Sequence, residues 1–157
     1  MRFEIVNPFI DVIVQTFSML GLEIYKDKVT LKTGKKIEKK ISFFFKIKGD
    51  FKGNVVYEFD ENLAYETIKK IYKIEEIPDD QELILSGIAE FGNLVNSKLV
   101  EVAYKRGLNY SVSHPYFYKY KGKVISYSSP CVEILFLSKY GEVILSVVFD
   151  KVIIDSY

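Results

Sequence analysis

Residues 79–106 read DDQELILSGIAEFGNLVNSKLVEVAYKR, and the arrangement of the rest of the chain follows from this stretch. Its apolar residues recur at steps of three and four, which at about 100° per residue places them in one stripe along a helix. The stripe consists of Ile84, Ile88, Phe91, Val95, Leu99 and Val102. The spacing therefore predicts one long amphipathic helix over residues 79–106, with this stripe facing a core.

The opposite side of this helix is polar, and its four residues fall within about 60° of one another. These residues are Ser86, Glu90, Asn93 and Ser97. Because the serines are short, the Glu90 carboxylate and the Asn93 amide stand clear. Gly87 and Gly92 each cost about 1 kcal/mol relative to Ala inside a helix, so we expect something to approach this helix closely. From spacing alone, an ordinary solvated face is the favoured interpretation, since every amphipathic helix has one.

Length and charge narrow the possible classes of protein. The 157 residues contain no linker or low-complexity segment, which predicts a single domain over residues 1–157. With 22 basic and 21 acidic residues and a net charge of +1, neither a nucleic acid nor a membrane surface is an expected partner. Because the sequence contains only one cysteine and one histidine, we expect neither an internal disulfide nor a metal site. No targeting or membrane-spanning segment is evident, so a cytoplasmic location is expected.

The first third of the chain predicts one helix followed by extended chain. Asn7 and Pro8 suit the start of a helix that Gly21 ends. Residues 22–31 are predicted to be extended with a turn at residues 26–28, and residues 33–36 to form a solvated turn. Residues 37–48 alternate as a lysine-rich edge strand that pairs with residues 51–59 in a hairpin.

The remaining segments complete an α+β fold. Asp60 is expected to cap a helix that runs to about Tyr72. Residues 131–137 and 143–148 form a central buried hairpin, and residues 152–154 extend its last strand. A further strand is expected within residues 110–124, with a turn at residues 121–122. The prediction is a mostly antiparallel sheet covered by the long helix and two further helices.

Three other features are assigned to packing or surface roles. His114 has no nucleophile or orienting carboxylate nearby and is interpreted as a surface or turn residue. Cys131 begins a buried strand and is interpreted as a small core residue. The aromatic and basic segment at residues 116–121 could stack on nucleic acid, but the balanced net charge favours a strand or partner contact.

The order of Ser86, Glu90, Asn93 and Pro115, with three, two and twenty-one residues between them, resembles the motif of the CheC/CheX/FliY family of chemotaxis phosphatases. The segments VNPFIDVIVQTFSMLG, KGDFKGNVVYEF and EFGNLVNSKL are also similar to that family, so the resemblance covers essentially the whole chain. In the CheC branch the motif occurs a second time on the first helix, which is absent here and favours a CheX-like member. Asn96 departs from relatives, which often have a small residue there.

This resemblance implies hydrolysis of the aspartyl phosphate of a CheY-like response regulator. Asn93 would orient the attacking water, and Glu90 would pair with a lysine of the regulator. Ser86, Ser97 and Pro115 would contact the partner. The protein would need no cofactor of its own, because Mg²⁺ belongs to the regulator. A homodimer paired through strand edges is also implied, with residues 37–48 or 116–124 as candidate edges.

The chemistry fits these residue types. An acyl phosphate is already activated, so orienting water is the main task left to the phosphatase. An amide donates and accepts hydrogen bonds without repelling phosphoryl oxygens. Two alternatives remain: a non-catalytic module that binds a response regulator or flagellar-switch component, and a structural or oligomerisation domain with Glu90 and Asn93 merely solvated.

Overall fold

The computed structural model describes residues 3–117, 119–120, 123–149 and 153–156. The helices are α1 (Phe3–Met19), α2 (Glu61–Tyr72) and α3 (Gln81–Lys105). The strands are β1 (Tyr25–Lys32), β2 (Lys35–Lys36), β3 (Ile41–Gly49), β4 (Gly53–Phe59), β5 (Tyr110–Val112), β6 (Tyr116–Phe117), β7 (Lys119–Tyr120), β8 (Lys123–Tyr127), β9 (Cys131–Ser138), β10 (Gly141–Phe149) and β11 (Ile153–Ser156).

Two antiparallel sheets form the framework. The larger has seven strands in the order β1-β9-β10-β4-β3-β5, with β6 also paired to β3. The smaller has the order β11-β8-β2, with β7 paired to β8. The predicted hairpins β3–β4 and β9–β10 are both present, and β4 and β10 pair with each other in the middle of the larger sheet.

All three helices pack on one face of the larger sheet around the main core. The opposite face carries a second, smaller core in which Tyr127 of β8 meets Phe44 of β3. The predicted α+β class, with the long helix and two others on a mostly antiparallel sheet, is confirmed. No helix among the described residues has the length and apolar character needed to cross a membrane.

The first helix begins earlier than predicted. It starts at Phe3 and contains Pro8 rather than opening there. Pro8 forgoes one backbone hydrogen bond, but Val6 and Phe9 on either side of it are almost fully buried, which holds this segment against the core. Gly21 ends the helix as predicted, with a positive φ of 77°. Residues 25–32 are extended as expected, and a β-bulge at Lys26–Lys28 replaces the predicted turn.

The predicted edge strand is an inner strand. β3 is paired to β4 on one side and to β5 and β6 on the other, so it is not free to pair with a second copy. The second candidate edge, residues 116–124, is divided between β6 in the larger sheet and β7 and β8 in the smaller sheet. Sequence alternation reports which face of a strand is buried but not which strands flank it.

Two predictions at the ends of elements are also corrected. Asp60 occupies the N-cap position of α2, but its carboxylate makes no capping bond and instead accepts from the Glu142 N–H and the Lys39 ammonium. β11 is not an extension of β10, because it pairs with β8 in the smaller sheet. The predicted turn at residues 121–122 and residue 152 lie outside the described residues.

Lys35 overturns the prediction of a solvated turn at residues 33–36. It is only 8% exposed, and its Nζ lies 2.6 Å from a Glu58 oxygen and 2.9 Å from a Glu133 oxygen. Glu58 also accepts hydrogen bonds from the backbone N–H groups of Glu38 and Lys39. The turn is therefore held against the strands by a buried ion cluster, and a sequence pattern cannot place its three members together.

The ionisation of this cluster contributes to stability. Burial would lower the pKa of Lys35, but the adjacent Glu58 and Glu133 outweigh it and raise the pKa. Burial would raise the pKa of Glu133, but hydrogen bonds and charge from Lys35 and Lys32 hold it below its usual value. Because a lowered carboxyl pKa stabilises the fold above the unfolded pKa, the contribution of Glu133 is lost as pH falls through its folded pKa.

We expect Lys35→Met to reduce the free energy of unfolding by about 3–5 kcal/mol, because it leaves Glu58 buried without its cation. Lys32→Met is the matched control: Lys32 binds the same Glu133 but is 42% exposed, so a loss of less than about 1 kcal/mol is expected. Urea denaturation at pH 7 measures both. Equal losses in the two variants would contradict a special role for the buried lysine.

Candidate functional site

The long helix begins with a defined cap. The Asp80 carboxylate accepts hydrogen bonds from the backbone N–H groups of Glu82 at 3.0 Å and Leu83 at 3.4 Å. This satisfies two of the N–H groups that a helix start leaves unpaired. α3 therefore runs from Gln81 to Lys105, within two residues of the predicted bounds.

The rotation of α3 is the predicted one. Of the apolar stripe, Ile88, Phe91, Val95 and Leu99 are buried, whereas Ile84 and Val102, toward the two ends, are half-buried. The four polar residues on the other side are all exposed: Ser86, Glu90, Asn93 and Ser97. Within the described residues, their side chains make no hydrogen bond or ion pair. They present free polar groups on an uncovered helix face.

The two glycines of α3 fit neighbours within the protein itself. A Cβ on Gly87 would lie 2.8 Å from Ile68 of α2, and one on Gly92 would lie 2.8 Å from the Pro115 ring. The close approach expected from the sequence is therefore made by the protein's own elements at the flanks of α3, not at its exposed face.

Pro115 is held against the flank of α3 at Gly92 by a short segment, residues 113–115. The Asn96 amide donates to the Ser113 carbonyl at 3.0 Å. The Ser113 N–H donates to the Lys46 carbonyl, and the Ser113 hydroxyl accepts from the Lys46 N–H. Pro115 thus contacts α3 at Gly92, next to Asn93 in sequence. Asn96 is half-buried against this segment and is not one of the four exposed polar residues of α3.

The charges on α3 are unevenly paired. The Glu101 carboxylate pairs with the Lys105 ammonium at 3.0 Å and with the Lys98 ammonium at 3.8 Å. The hydrogen bond from Lys105 is the main cause that lowers the pKa of Glu101. Glu90 has no cation among the described residues. An exposed carboxylate without a partner remains available to a cation brought by another molecule.

The other residues singled out by sequence take the roles expected of them. His114 is exposed, and Cys131 is fully buried in the second core, where burial raises the pKa of its thiol. Tyr116 is half-buried and stacks on Phe44 at 5.2 Å, so this part of the aromatic segment packs on the sheet. Tyr118 lies outside the described residues.

Ser86, Glu90, Asn93 and Ser97 form an exposed row along the surface of α3. A cleft of about 540 Å³ lies between α2, the start of α3 and the β9–β10 turn, where Tyr65, Ile84 and Tyr140 contribute to its walls. None of Ser86, Glu90 and Asn93 lines that cleft. A carboxylate and an amide one turn apart on a convex helix suit a macromolecular partner whose own cavity receives them.

Neither a protein-family model nor a curated protein matches this sequence. Solved structures do match. A CheC-like superfamily protein from Shewanella sp. PV-4 is 22% identical, with a TM-score of 0.79 over 96% of this chain and 100% of that one. The chemotaxis protein CheX from Desulfovibrio desulfuricans is 20% identical, with a TM-score of 0.78 over 94% and 99%.

A third solved structure includes a partner. CheX from Borrelia burgdorferi, crystallised in complex with CheY, BeF₃ and Mg²⁺, is 19% identical, with a TM-score of 0.67 over 93% of this chain and 97% of that one. At these identities the matches establish the fold. The chain has the fold of CheX and CheC-like chemotaxis proteins over nearly its full length.

The tight contact at Gly92 gives a test of the site's rigidity. We expect Gly92→Ala to destabilise the protein by about 1–3 kcal/mol, because the added methyl collides with the Pro115 ring. Ser86→Ala, on the exposed face of the same helix, should change stability by no more than about 0.5 kcal/mol. Urea denaturation measures both, and a Gly92→Ala variant as stable as wild type would show that Pro115 yields readily.

Proposed function

We propose that this protein is a phosphatase that hydrolyses the aspartyl phosphate of a CheY-type response regulator and so ends a chemotaxis-type signal in the cytoplasm. The observation that carries the proposal is the free Glu90 and Asn93 pair on an uncovered helix. The fold shared with a CheX whose structure includes CheY supports a receiver domain as the partner.

Asn93 positions water. In this mechanism α3 enters the active site of the regulator, and the Asn93 amide holds a water in line with the phosphorus atom. The water oxygen bonds to phosphorus as the bond between phosphorus and the aspartyl oxygen breaks, which yields free carboxylate and inorganic phosphate. One proton of the water remains on the phosphate product, and the other either stays with that phosphate or passes to solvent. A neutral amide suits this position because a carboxylate would repel the phosphoryl oxygens.

The energetic demand on Asn93 is modest. The regulator supplies Mg²⁺ and its own lysine, and the acyl phosphate is already activated, so orientation is the main contribution required. A hundredfold acceleration corresponds to about 2.7 kcal/mol, which is within reach of one well-placed hydrogen bond and a fixed water. The rigid contacts of Gly87 and Gly92 with their neighbours keep α3 in place for this task.

Glu90 has a different part, because it would pair with a lysine of the regulator and anchor the complex. Ser86 and Ser97 have short side chains that allow the partner to approach. Pro115, which packs against α3 at Gly92, would contact the partner at the edge of the same face. Removal of Glu90 should therefore weaken binding, whereas removal of the Asn93 amide should act on the chemical step.

We expect Asn93→Ala to abolish accelerated dephosphorylation, a loss of at least about hundredfold, and to leave the Kd for the regulator within about twofold. Asn93→Asp should be equally inactive and should bind the phosphorylated regulator less well, because it adds a charge that faces the phosphoryl group. Decay of regulators phosphorylated with acetyl phosphate measures activity. Full activity in Asn93→Ala would sink the proposed role of this amide.

We expect Glu90→Ala to weaken the complex by about fivefold at low salt, or about 1 kcal/mol, with a smaller effect at 0.5 M salt. Glu76→Ala is the matched control, since it removes the same charge from an exposed loop residue away from the row. Titration calorimetry at two salt concentrations measures both variants. Binding by wild type without any phosphate release would favour the non-catalytic regulator-binding module.

We also propose a homodimer, with β1 in place of the edges predicted from sequence. β1 ends the larger sheet and has one strand neighbour among the described residues, and Leu31 on it is 68% exposed. Because a bulge interrupts β1 at Lys26–Lys28, we expect a second copy of the chain to pair with the second half of this strand. We expect light scattering to find a dimer that Leu31→Lys converts to monomer. Leu137→Lys, on the adjacent strand, should remain dimeric, and a monomeric wild type would contradict the proposal.

A further inference from the structure

The exposed row of α3 continues beyond the proposed catalytic pair. Its members are Ser86, Glu90, Asn93, Ser97, Val100 and Tyr104, at steps of four, three, four, three and four. At about 100° per residue these six lie within about 80° of one another. Alternating steps of four and three residues are the pattern by which a helix presents one seam to a second helix.

The two ends of this row differ in chemistry. The first four residues are polar, whereas Val100 is 41% exposed and Tyr104 is 82% exposed. At 1.5 Å per residue, Val100 and Tyr104 lie about 10 and 16 Å from Asn93 along the helix. The Tyr104 hydroxyl makes no hydrogen bond to another described residue. A large, unpartnered aromatic side chain in line with Asn93 is available for burial by a partner.

The charged side chains around Val100 and Tyr104 are paired within the protein. Glu101 is bound by Lys98 and Lys105, and Arg106 pairs with Asp11 of α1. This end of the row therefore offers apolar surface framed by ion pairs, while Glu90 at the other end has no cation among the residues that the structure describes. Apolar centres surrounded by polar groups that exclude water are typical of the energetically dominant parts of interfaces.

We propose that Val100 and Tyr104 form a second, apolar contact for the same receiver domain, with a helix of that domain packed along the C-terminal half of α3. This inference rests on the proposed function, because the occupant is the regulator that Glu90 and Asn93 engage. The row is continuous, so a domain that receives Asn93 in its active site also covers the next two or three turns of α3. Glu90 then governs salt-dependent attraction, and Tyr104 governs the lifetime of the complex.

Kinetics with the receiver domain on which the wild-type protein acts fastest, phosphorylated with acetyl phosphate, test this contact. We expect Tyr104→Ser to raise KM about tenfold and Val100→Ser about threefold, with kcat unchanged at saturating regulator. The effect of Tyr104→Ser should persist at 0.5 M salt, unlike that of Glu90→Ala. Met19→Ser is the matched control, since Met19 is 67% exposed at the end of α1, outside the row, and its KM should equal that of wild type.

A label provides a readout that does not depend on turnover. Cys131 is the only cysteine and is buried, so the thiol introduced by Tyr104→Cys can be labelled selectively with an environment-sensitive dye. Adding the regulator with BeF₃ and Mg²⁺ should shift the emission of this dye to shorter wavelength. The same dye attached through Met19→Cys should not respond.

The outcomes separate the two proposals. If wild type accelerates decay and Asn93→Ala does not, but Tyr104→Ser keeps the wild-type KM, the second contact is overturned alone. If wild type accelerates the decay of no receiver domain in a broad panel, the proposed function fails, and the contact fails with it. Equal KM increases in Tyr104→Ser and Met19→Ser would also overturn the second contact, because the effect would then not be specific to the exposed row of α3.

Discussion

The packing of Phe91 determines where the exposed face of the long helix points. Its ring lies 4.9 Å from that of Phe17 on α1 and 5.5 and 6.4 Å from those of Phe59 and Phe43 in the sheet. Because the Phe91 ring is enclosed on these sides, α3 can adopt only one rotation about its axis. Glu90 precedes Phe91 in the chain, so the helical period carries that carboxylate away from the core.

Close contacts on the two flanks of α3 also restrict its position and rotation. Ile68 of α2 sits against Gly87, and Pro115 sits against Gly92, at distances where even a methyl group would collide. The helix-propensity cost of the two glycines is offset by packing on both sides. In the proposed mechanism such rigidity would help Asn93 to orient a water molecule, since small displacements of the amide would weaken that orientation.

The exposed row combines two kinds of interaction surface on this fixed helix. The polar half carries groups suited to water and to a cation, and the apolar half carries the side chains suited to burial. In the proposed complex, this separation would place the main binding contact several turns of α3 away from the reacting atoms. The Asn93 amide would then act on the water alone, while Tyr104 would supply the contact area that a short polar residue lacks.

The sequence by itself determined the elements whose signals are local. The period of α3, its buried and exposed faces, the two hairpins and the helical ends at Gly21 and near Tyr72 all follow from residues close together in the chain. The exposure of Glu90 and Asn93 was predictable for the same reason, because rotation about one helix is a local property. Only the tertiary structure decided that β3 is an inner strand, that Lys35 is buried, and that Asn96 binds Ser113. Each of these depends on groups far apart in sequence, and periodicity carries no record of which distant residue supplies a strand neighbour, a counter-charge or a hydrogen-bond acceptor.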